Sequence, residues 1–109
     1  MKVLITGNLG YIGSVLTSEM KDNYEIVGFD IGYFKDCILK ETKSAFKQII
    51  KDINDIDKAD LENIDAIVHL AALSNAPLGE FDKKNTYQTN YKSPLQLNKI
   101  AKKNKIKRF

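Results

Sequence analysis

The sequence predicts an α/β fold built on a doubly wound parallel sheet. Three observations support this: an apolar strand runs directly into a glycine-rich turn and a helix, further apolar strands alternate with polar or helical stretches, and acidic residues directly follow two strands. A chain of 109 residues has room for one small domain, so we assign residues 1–109 to a single unit. We expect the strand order 3-2-1-4, with the last residues starting a fifth strand.

The glycine-rich turn follows the first strand, residues 2–6, with the spacing G-x-x-G-x-x-G. Gly7 lets the chain turn sharply, Gly10 lets the backbone approach a bound phosphate, and Gly13 lets the helix pack close to the strand. The first N–H groups of a helix lack intrahelical acceptors and the helix dipole favours an anion, so the turn predicts a pyrophosphate site. The spacing departs from the simplest fingerprint, G-x-G-x-x-G, and a plain glycine-containing turn is the alternative.

The first helix is predicted over residues 11 to about 21, with a turn at Asp22-Asn23. Apolar residues recur in it at helical spacing and predict an amphipathic helix. These residues are Ile12, Val15, Leu16 and Met20.

The second strand, residues 24–29, leads directly into Asp30. Open α/β sheets bind ligands at the carboxyl ends of their strands, where this side chain is expected. A carboxylate there can accept hydrogen bonds from both ribose hydroxyls of an adenosine, and it would repel a 2′-phosphate. The position therefore predicts NAD, preferred over NADP, with an exposed turn aspartate as the alternative.

A long connection, residues 31–44, leads to the third strand, residues 46–50. The connection has no clear period, and we allow it one helical turn. Asp52 falls just past the third strand, on the same edge as Asp30, and is a candidate to contact the adenine amino group. The alternative is that Asp52 caps a short turn over residues 55–61.

The fourth strand, residues 65–72, is almost wholly apolar, as a central parallel strand should be. His69 is the only histidine, and we expect it to pack or hydrogen-bond within the strand rather than act as a catalytic base. The small pair Ala71-Ala72 would let backbone and ligand approach closely. Residues 74–79 have the composition of a loop at the binding edge.

A helical region is predicted over residues 82–103, with a kink or restart near Ser93 because Pro94 interrupts it. Asn104 is the expected left-handed stop, and residues 105–109 are the expected start of the fifth strand. The buried stripe of this region is expected at Leu97, Ile100 and Ala101.

Composition narrows the possible functions. The sequence has no apolar run long enough to cross a membrane, and Met1 leads into the first strand without a signal peptide, which favours a cytoplasmic protein. The single cysteine, Cys37, cannot form an internal disulfide and fits a reducing compartment. It has no neighbouring cysteine or histidine, so we expect no metal site.

The charge of the chain is unevenly distributed. Residues 83–109 hold nine of the 17 basic residues and none of the 14 acidic ones. Such a block can mark a nucleic-acid contact, but its last residues lack an interleaved aromatic platform for stacking bases. We therefore interpret it as a solvated helix face.

Taken together, these motifs resemble the extended short-chain dehydrogenase/reductase family, specifically the N-terminal part of its NAD-dependent epimerases and dehydratases, which act mostly on nucleotide sugars. The resemblance spans essentially all 109 residues and implies a Rossmann-like fold. The motifs that carry it are Thr6-Gly7-x-x-Gly10-x-x-Gly13, Asp30, Asp52-Ile53, His69-Leu70-Ala71-Ala72 and Asn90.

The resemblance also implies roles at the adenosine end of NAD. Asp30 would hold the ribose, and Asp52 and Ile53 would flank the adenine. The residues that would hold the pyrophosphate are Gly7, Gly10, Tyr11, Ile12 and Gly13.

Further along the cofactor, the resemblance implies a second group of residues. Ser74 and Asn75 would approach the nicotinamide half or the substrate, and Asn90 is similar to a helix asparagine that steadies the site. The residues that would line the cleft are Leu70, Ala71 and Ala72.

The family's reacting groups are expected outside this chain. Family members use Tyr-x-x-x-Lys, whose spacing puts both side chains on one helix face, and the lysine lowers the pKa of the tyrosine so that the phenolate acts as a base. None of the five tyrosines here has a lysine four residues on. In the family these groups follow the fifth strand, so we expect no catalytic residue in this chain.

The expected function is the NAD-binding portion of a nucleotide-sugar epimerase/dehydratase-like oxidoreductase, with the sugar bound by a further C-terminal portion or a partner chain. The alternative is a non-catalytic module that binds a nucleotide or another protein. A fourth strand at the rim of the sheet would be open to pairing, so we also expect self-association through it.

Overall fold

A four-stranded parallel sheet carries the fold. The computed structural model describes residues 1–37, 46–74 and 80–109. The strand order is β3-β2-β1-β4, which confirms the predicted doubly wound α/β architecture. The strands are β1 (Lys2–Thr6), β2 (Glu25–Asp30), β3 (Lys47–Ile50) and β4 (Ala66–His69).

The helical elements connect these strands. The structure describes a single turn of 3-10 helix, Lys35–Cys37, in the long connection after β2, whose residues 38–45 lie outside the described part. Among the described residues, no helix has the length and apolar character needed to span a membrane. The remaining elements are α1 (Tyr11–Met20), two 3-10 turns (Ile53–Asp55 and Ala59–Leu61), α2 (Lys83–Tyr87), a π turn (Gln88–Lys92) and α3 (Ser93–Lys103).

Strand β4 is shorter than predicted. Its regular pairing with β1 ends at His69, opposite Thr6. Two residues further on, the Ala71 N–H bonds to the Thr6 side-chain hydroxyl at 3.3 Å rather than to a strand carbonyl. The chain therefore leaves the sheet about three residues earlier than the apolar composition indicates.

Helix α1 does not bury its apolar face. Ile12 and Val15 are 65% and 40% exposed, while Leu16 and Met20 are half-buried. The helix approaches the glycine turn so closely that only small residues fit between them. The residues on its buried face are Gly13, Ser14, Thr17 and Ser18.

Apolar side chains cover both faces of the sheet. On one face, Leu4 and Phe29 pack with residues of the 3-10 turns and with Leu97 and Ala101 of α3. Ile100 is half-buried against the same cluster, so the predicted stripe of α3 is confirmed. The cluster on the other face consists of Val3, Ile5, Ile26 and Ala66, with Met20, Phe46, Val68 and Leu70 packed against it.

The irregularity predicted near Ser93 is a π turn, and the regular α-helix α3 begins directly after it with Pro94 in its first turn. The backbone stays right-handed helical at Tyr87, Gln88 and Ser93. The Ser93 N–H bonds to the Gln88 carbonyl, five residues back. This wider turn precedes the position where proline has no N–H to donate, so the helix continues into α3.

The stop of α3 lies one residue later than predicted. Asn104 has φ −84°, and Lys105 is the left-handed residue, with φ 58°. The Lys105 N–H bonds to the Lys102 carbonyl at 3.1 Å and the Ile106 N–H to the Ala101 carbonyl at 3.0 Å. This is a Schellman motif, and Ile106 packs on the core as the motif requires.

The last residues begin to pair alongside β4. Arg108 forms a parallel bridge with Ala66, and its carbonyl accepts from the Ile67 N–H at 3.0 Å. This confirms the predicted start of a fifth strand. Self-association through the rim of the sheet stays a prediction.

Candidate functional site

A cleft of about 570 Å³ opens at the carboxyl ends of the four strands. The segments after β1, β2, β3 and β4 all contribute to its lining. Of the cofactor-binding residues expected from the sequence, all those that the structure describes line this cleft except Asn90. Asn75 lies outside the described residues.

The glycine turn begins at Gly7, between the carboxyl ends of β2 and β4. Its φ of 74° is left-handed, and a Cβ there would lie 2.7 Å from the Ala71 nitrogen. Its N–H donates to the Phe29 carbonyl at 2.8 Å. Only glycine can therefore bring the chain between the ends of β2 and β4.

The first turn of α1 faces the cleft without a side-chain cap. The N-cap residue is Gly10, which has no side chain to accept hydrogen bonds from the first N–H groups of the helix. A Cβ on Gly10 would meet only the Gly7 carbonyl oxygen, at 3.3 Å, so the space beside it is open. Tyr11, Ile12 and Gly13 follow in the lining of the cleft. An anion placed here would meet N–H groups that have no intrahelical acceptor.

The Asp30 carboxylate is fixed by two backbone donors at the end of β2. Its Oδ2 accepts from the Leu9 N–H at 3.1 Å, and its Oδ1 accepts from the Gly32 N–H at 2.7 Å. Each carboxylate oxygen keeps further acceptor capacity. A carboxylate held at the cleft in this way can accept hydrogen bonds from a pair of hydroxyls.

Asp52 caps a short turn and also lines the cleft. Its Oδ1 accepts from the Asn54 N–H at 2.8 Å, so it caps the 3-10 turn Ile53–Asp55 rather than a turn over residues 55–61. Ile53 is buried and lines the cleft beside it. The side chains of Ser93 and Asn54 hydrogen-bond to each other and tie this turn to the helical segment.

The Thr6 hydroxyl holds the segment after β4. It accepts from the N–H groups of Leu70 at 3.2 Å and Ala71 at 3.3 Å, and it lies 2.7 Å from His69 Nδ1. The Leu70 N–H is shared with the Thr6 backbone carbonyl, at 3.0 Å, so the hydroxyl keeps the capacity either to donate to His69 Nδ1 or to accept from it. His69 therefore hydrogen-bonds within the sheet, as predicted.

Burial lowers the pKa of His69 below its ordinary value of 6.5. The unfolded chain thus binds this proton near pH 6.5, whereas the folded chain binds it only at a lower pH. We expect the free energy of unfolding to fall by up to about 1 kcal/mol between pH 7.5 and pH 5.5. Urea unfolding at both pH values measures this, with His69→Gln as the variant that cannot titrate. An equal pH dependence in both proteins would contradict the assignment.

Asn90 acts on the cleft through Leu73. Its Oδ1 accepts from the Leu73 N–H at 2.8 Å, and its Nδ2 donates to the Leu73 carbonyl at 2.9 Å. Leu73 and Ser74 line the cleft. The π turn that contains Asn90 therefore holds the strand-to-loop segment by its backbone.

Sequence reasoning missed several residues of the site. Asn85 and Thr89 line the cleft one helical turn apart, a spacing that indicates a shared face. Tyr33 and Phe34 also line it, and neither motif nor periodicity marks them. Among the described residues, no group of acidic, histidine or cysteine side chains could hold a metal ion.

Lys51 is a cation of the lining that is already paired with two carboxylates. Its Nζ lies 2.8 Å from Asp57 Oδ2 and 2.7 Å from Asp60 Oδ2. The hydrogen bonds to these carboxylates raise the pKa of Lys51, and the bond from Lys51 lowers the pKa of Asp57. The lysine is thereby engaged on the side of the cleft next to Asp52.

Two solved structures are similar to this fold. A UDP-N-acetylglucosamine 4-epimerase from Methanobrevibacter ruminantium M1, in complex with UDP-N-acetylmuramic acid, is 28% identical with a TM-score of 0.86, over 97% of this chain and 35% of that one. A mutant UDP-glucuronic acid 4-epimerase from Bacillus cereus, in complex with UDP-4-deoxy-4-fluoro-glucuronic acid and NAD, is 31% identical with a TM-score of 0.81, over 94% of this chain and 36% of that one. The chain thus spans about a third of each structure.

Sequence comparison gives the same relationship. The bifunctional protein GAL10 of Pachysolen tannophilus is 35% identical over 117 residues, which cover 96% of this chain and 17% of that protein. Residues 3–109 match the sequence model of the NAD dependent epimerase/dehydratase family. Because the match takes in the glycine turn, all four strands and α3, the chain belongs to the NAD-dependent epimerase/dehydratase family.

Proposed function

We propose that residues 1–109 are the NAD-binding portion of an enzyme that epimerises or dehydrates a nucleotide sugar. The observation that carries this proposal is the single cleft that joins the uncapped start of α1 to the fixed carboxylate of Asp30. Family membership supports the cofactor, and the UDP-sugars bound by the two similar structures support the substrate class.

The glycine turn is the proposed pyrophosphate site. Its support is the open space beside Gly10 and the N–H groups at the start of α1. Asp30 is the proposed ribose ligand, and Asp52 with Ile53 would flank the adenine. These residues line the cleft and follow β1, β2 and β3 in turn.

The nicotinamide half would lie along the segment after β4. Leu70, Ala71 and Ala72 line the cleft there, and Ser74 follows them. We assign Asn90 the role of holding this segment through Leu73. The 109 residues contain no Tyr-x-x-x-Lys pair, so we assign them cofactor binding and no catalytic residue.

We also propose that the site prefers NAD to NADP. A 2′-phosphate on the adenosine ribose would meet the negative charge of Asp30. The nearby cation, Lys51, is already paired with Asp57 and Asp60 and would have to break these contacts to neutralise the phosphate. Both features act against NADP.

Calorimetric titration with NAD and NADP tests the proposal. We expect NAD to bind more tightly than NADP, and Asp30→Asn to weaken NAD binding roughly tenfold because it removes charged hydrogen bonds to the ribose. The matched control is Asp22→Asn, which makes the same charge change in the exposed turn before β2. Absence of NAD binding by the folded chain, or unchanged binding in Asp30→Asn, would refute the assignment.

A further inference from the structure

A pair of side-chain amides lies beneath the glycine turn. Asn8, in the turn, donates from Nδ2 to Gln48 Oε1 at 2.7 Å, and Gln48 donates from Nε2 to Asn8 Oδ1 at 3.1 Å. Gln48 Nε2 also lies 3.3 Å from the Ile49 carbonyl, which orients its amide. Asn8 is only 1% exposed. The two amides thus satisfy each other, with Asn8 buried and Gln48 half-buried at the edge of the pair.

Gly28 reserves the space for this pair. Gly28 and Gln48 are register partners on β2 and β3. A Cβ on Gly28 would lie 2.4 Å from both Asn8 Nδ2 and Gln48 Oε1. The pair therefore rests directly on the β2 backbone and joins the glycine turn to β3.

Asn8 transmits this constraint to the start of α1. A Cβ on Gly13 would lie 2.7 Å from the Asn8 Cα, so the backbone of Asn8 is in close contact with the first turn of the helix. The next residue, Leu9, is fixed by its N–H bond to Asp30. The position of Asn8 thus sets where the uncapped N–H groups of the helix lie relative to the turn.

We propose that Asn8 and Gln48 are positioning residues for the pyrophosphate site, and that they act as one unit. This inference rests on the proposed NAD-binding function. The pair does not line the cleft, so it would act only by holding the turn in its binding conformation. Losing the Gln48 amide leaves Asn8 buried and without its partner, and the turn can satisfy Asn8 only by moving. Losing the Asn8 amide removes the side chain that joins the turn to β3.

The test compares ADP, which carries a pyrophosphate, with adenosine, which does not. In Gln48→Met, which keeps the side-chain length but not the hydrogen bonds, we expect ADP affinity to fall about tenfold while adenosine affinity stays within about twofold. Asn8→Leu and the double variant complete a cycle. If the pair acts as a unit, the double variant loses no more ADP affinity than the single variant with the larger loss.

Control measurements separate positioning from loss of fold. Gln96→Met removes a glutamine hydrogen bond to the Ile56 carbonyl, far along the chain from the turn, and should leave ADP affinity unchanged. If Gln48→Met alone does not fold, ADP and adenosine affinities are compared in the double variant instead, because it leaves no buried amide unpaired.

Three results would overturn the inference. Equal losses for ADP and adenosine would show a general loss of the folded site. Unchanged ADP affinity in Gln48→Met would refute the inference while leaving the proposed function intact. A wild-type chain that binds neither NAD nor ADP would refute both.

Discussion

Gly13→Ala is expected to destabilise the chain by about 3 kcal/mol and to abolish NAD binding. The added Cβ would lie 2.1 Å from the Gly7 carbonyl oxygen and 2.7 Å from the Asn8 Cα, and both contacts are with backbone. The turn cannot yield, because Gly7 is itself packed against Ala71. In a helix without such contacts, alanine is more stable than glycine by about 1 kcal/mol, so the sign of the change alone tests the contact.

Urea unfolding followed by circular dichroism measures this effect. Gly10→Ala is the matched control, because its Cβ would meet only one atom, at 3.3 Å, and it should cost no more than about 1 kcal/mol. Gly10→Ala is nevertheless expected to weaken NAD binding by filling the space beside the proposed phosphate. A Gly13→Ala variant as stable as the wild type would contradict the close contact between α1 and the turn.

Features encoded by neighbouring residues were predictable from the sequence. The strand order and the cleft followed from short apolar runs, from the spacing of three glycines and from Asp30 at a strand end. Each of these signals lies within about ten residues, and the rule that ligands bind at the carboxyl ends of parallel strands joins them. The cleft that the structure shows is therefore close to the predicted one.

Features set by distant contacts were not predictable in this way. The apolar spacing correctly predicted that α1 is a helix, but it did not predict which face is buried. The close approach of Gly13 to Gly7 decides that face, because it excludes large side chains. Asn8 and Gln48 are 40 residues apart, and no periodicity links a turn residue to a strand residue. The left-handed stop fell on Lys105 because Ile106 packs on the core, although asparagine is intrinsically the better left-handed residue.

Thr6→Val is expected to destabilise the chain by about 2–4 kcal/mol. Thr6 is fully buried, and valine keeps its shape while removing the hydroxyl. The Ala71 N–H would lose an acceptor and His69 Nδ1 would lose its hydrogen-bond partner, at the point where β4 leaves the sheet. Because a freed segment after β4 would no longer pack against Gly7, we also expect weaker NAD binding.

Thr6→Ser is the control for this change, since it keeps the hydroxyl and loses only a methyl group, at a cost of about 1 kcal/mol. Denaturant unfolding of both variants gives the stability difference, and calorimetric titration gives the effect on NAD. Equal stability of the two variants would show that the hydroxyl does not organise this end of the sheet.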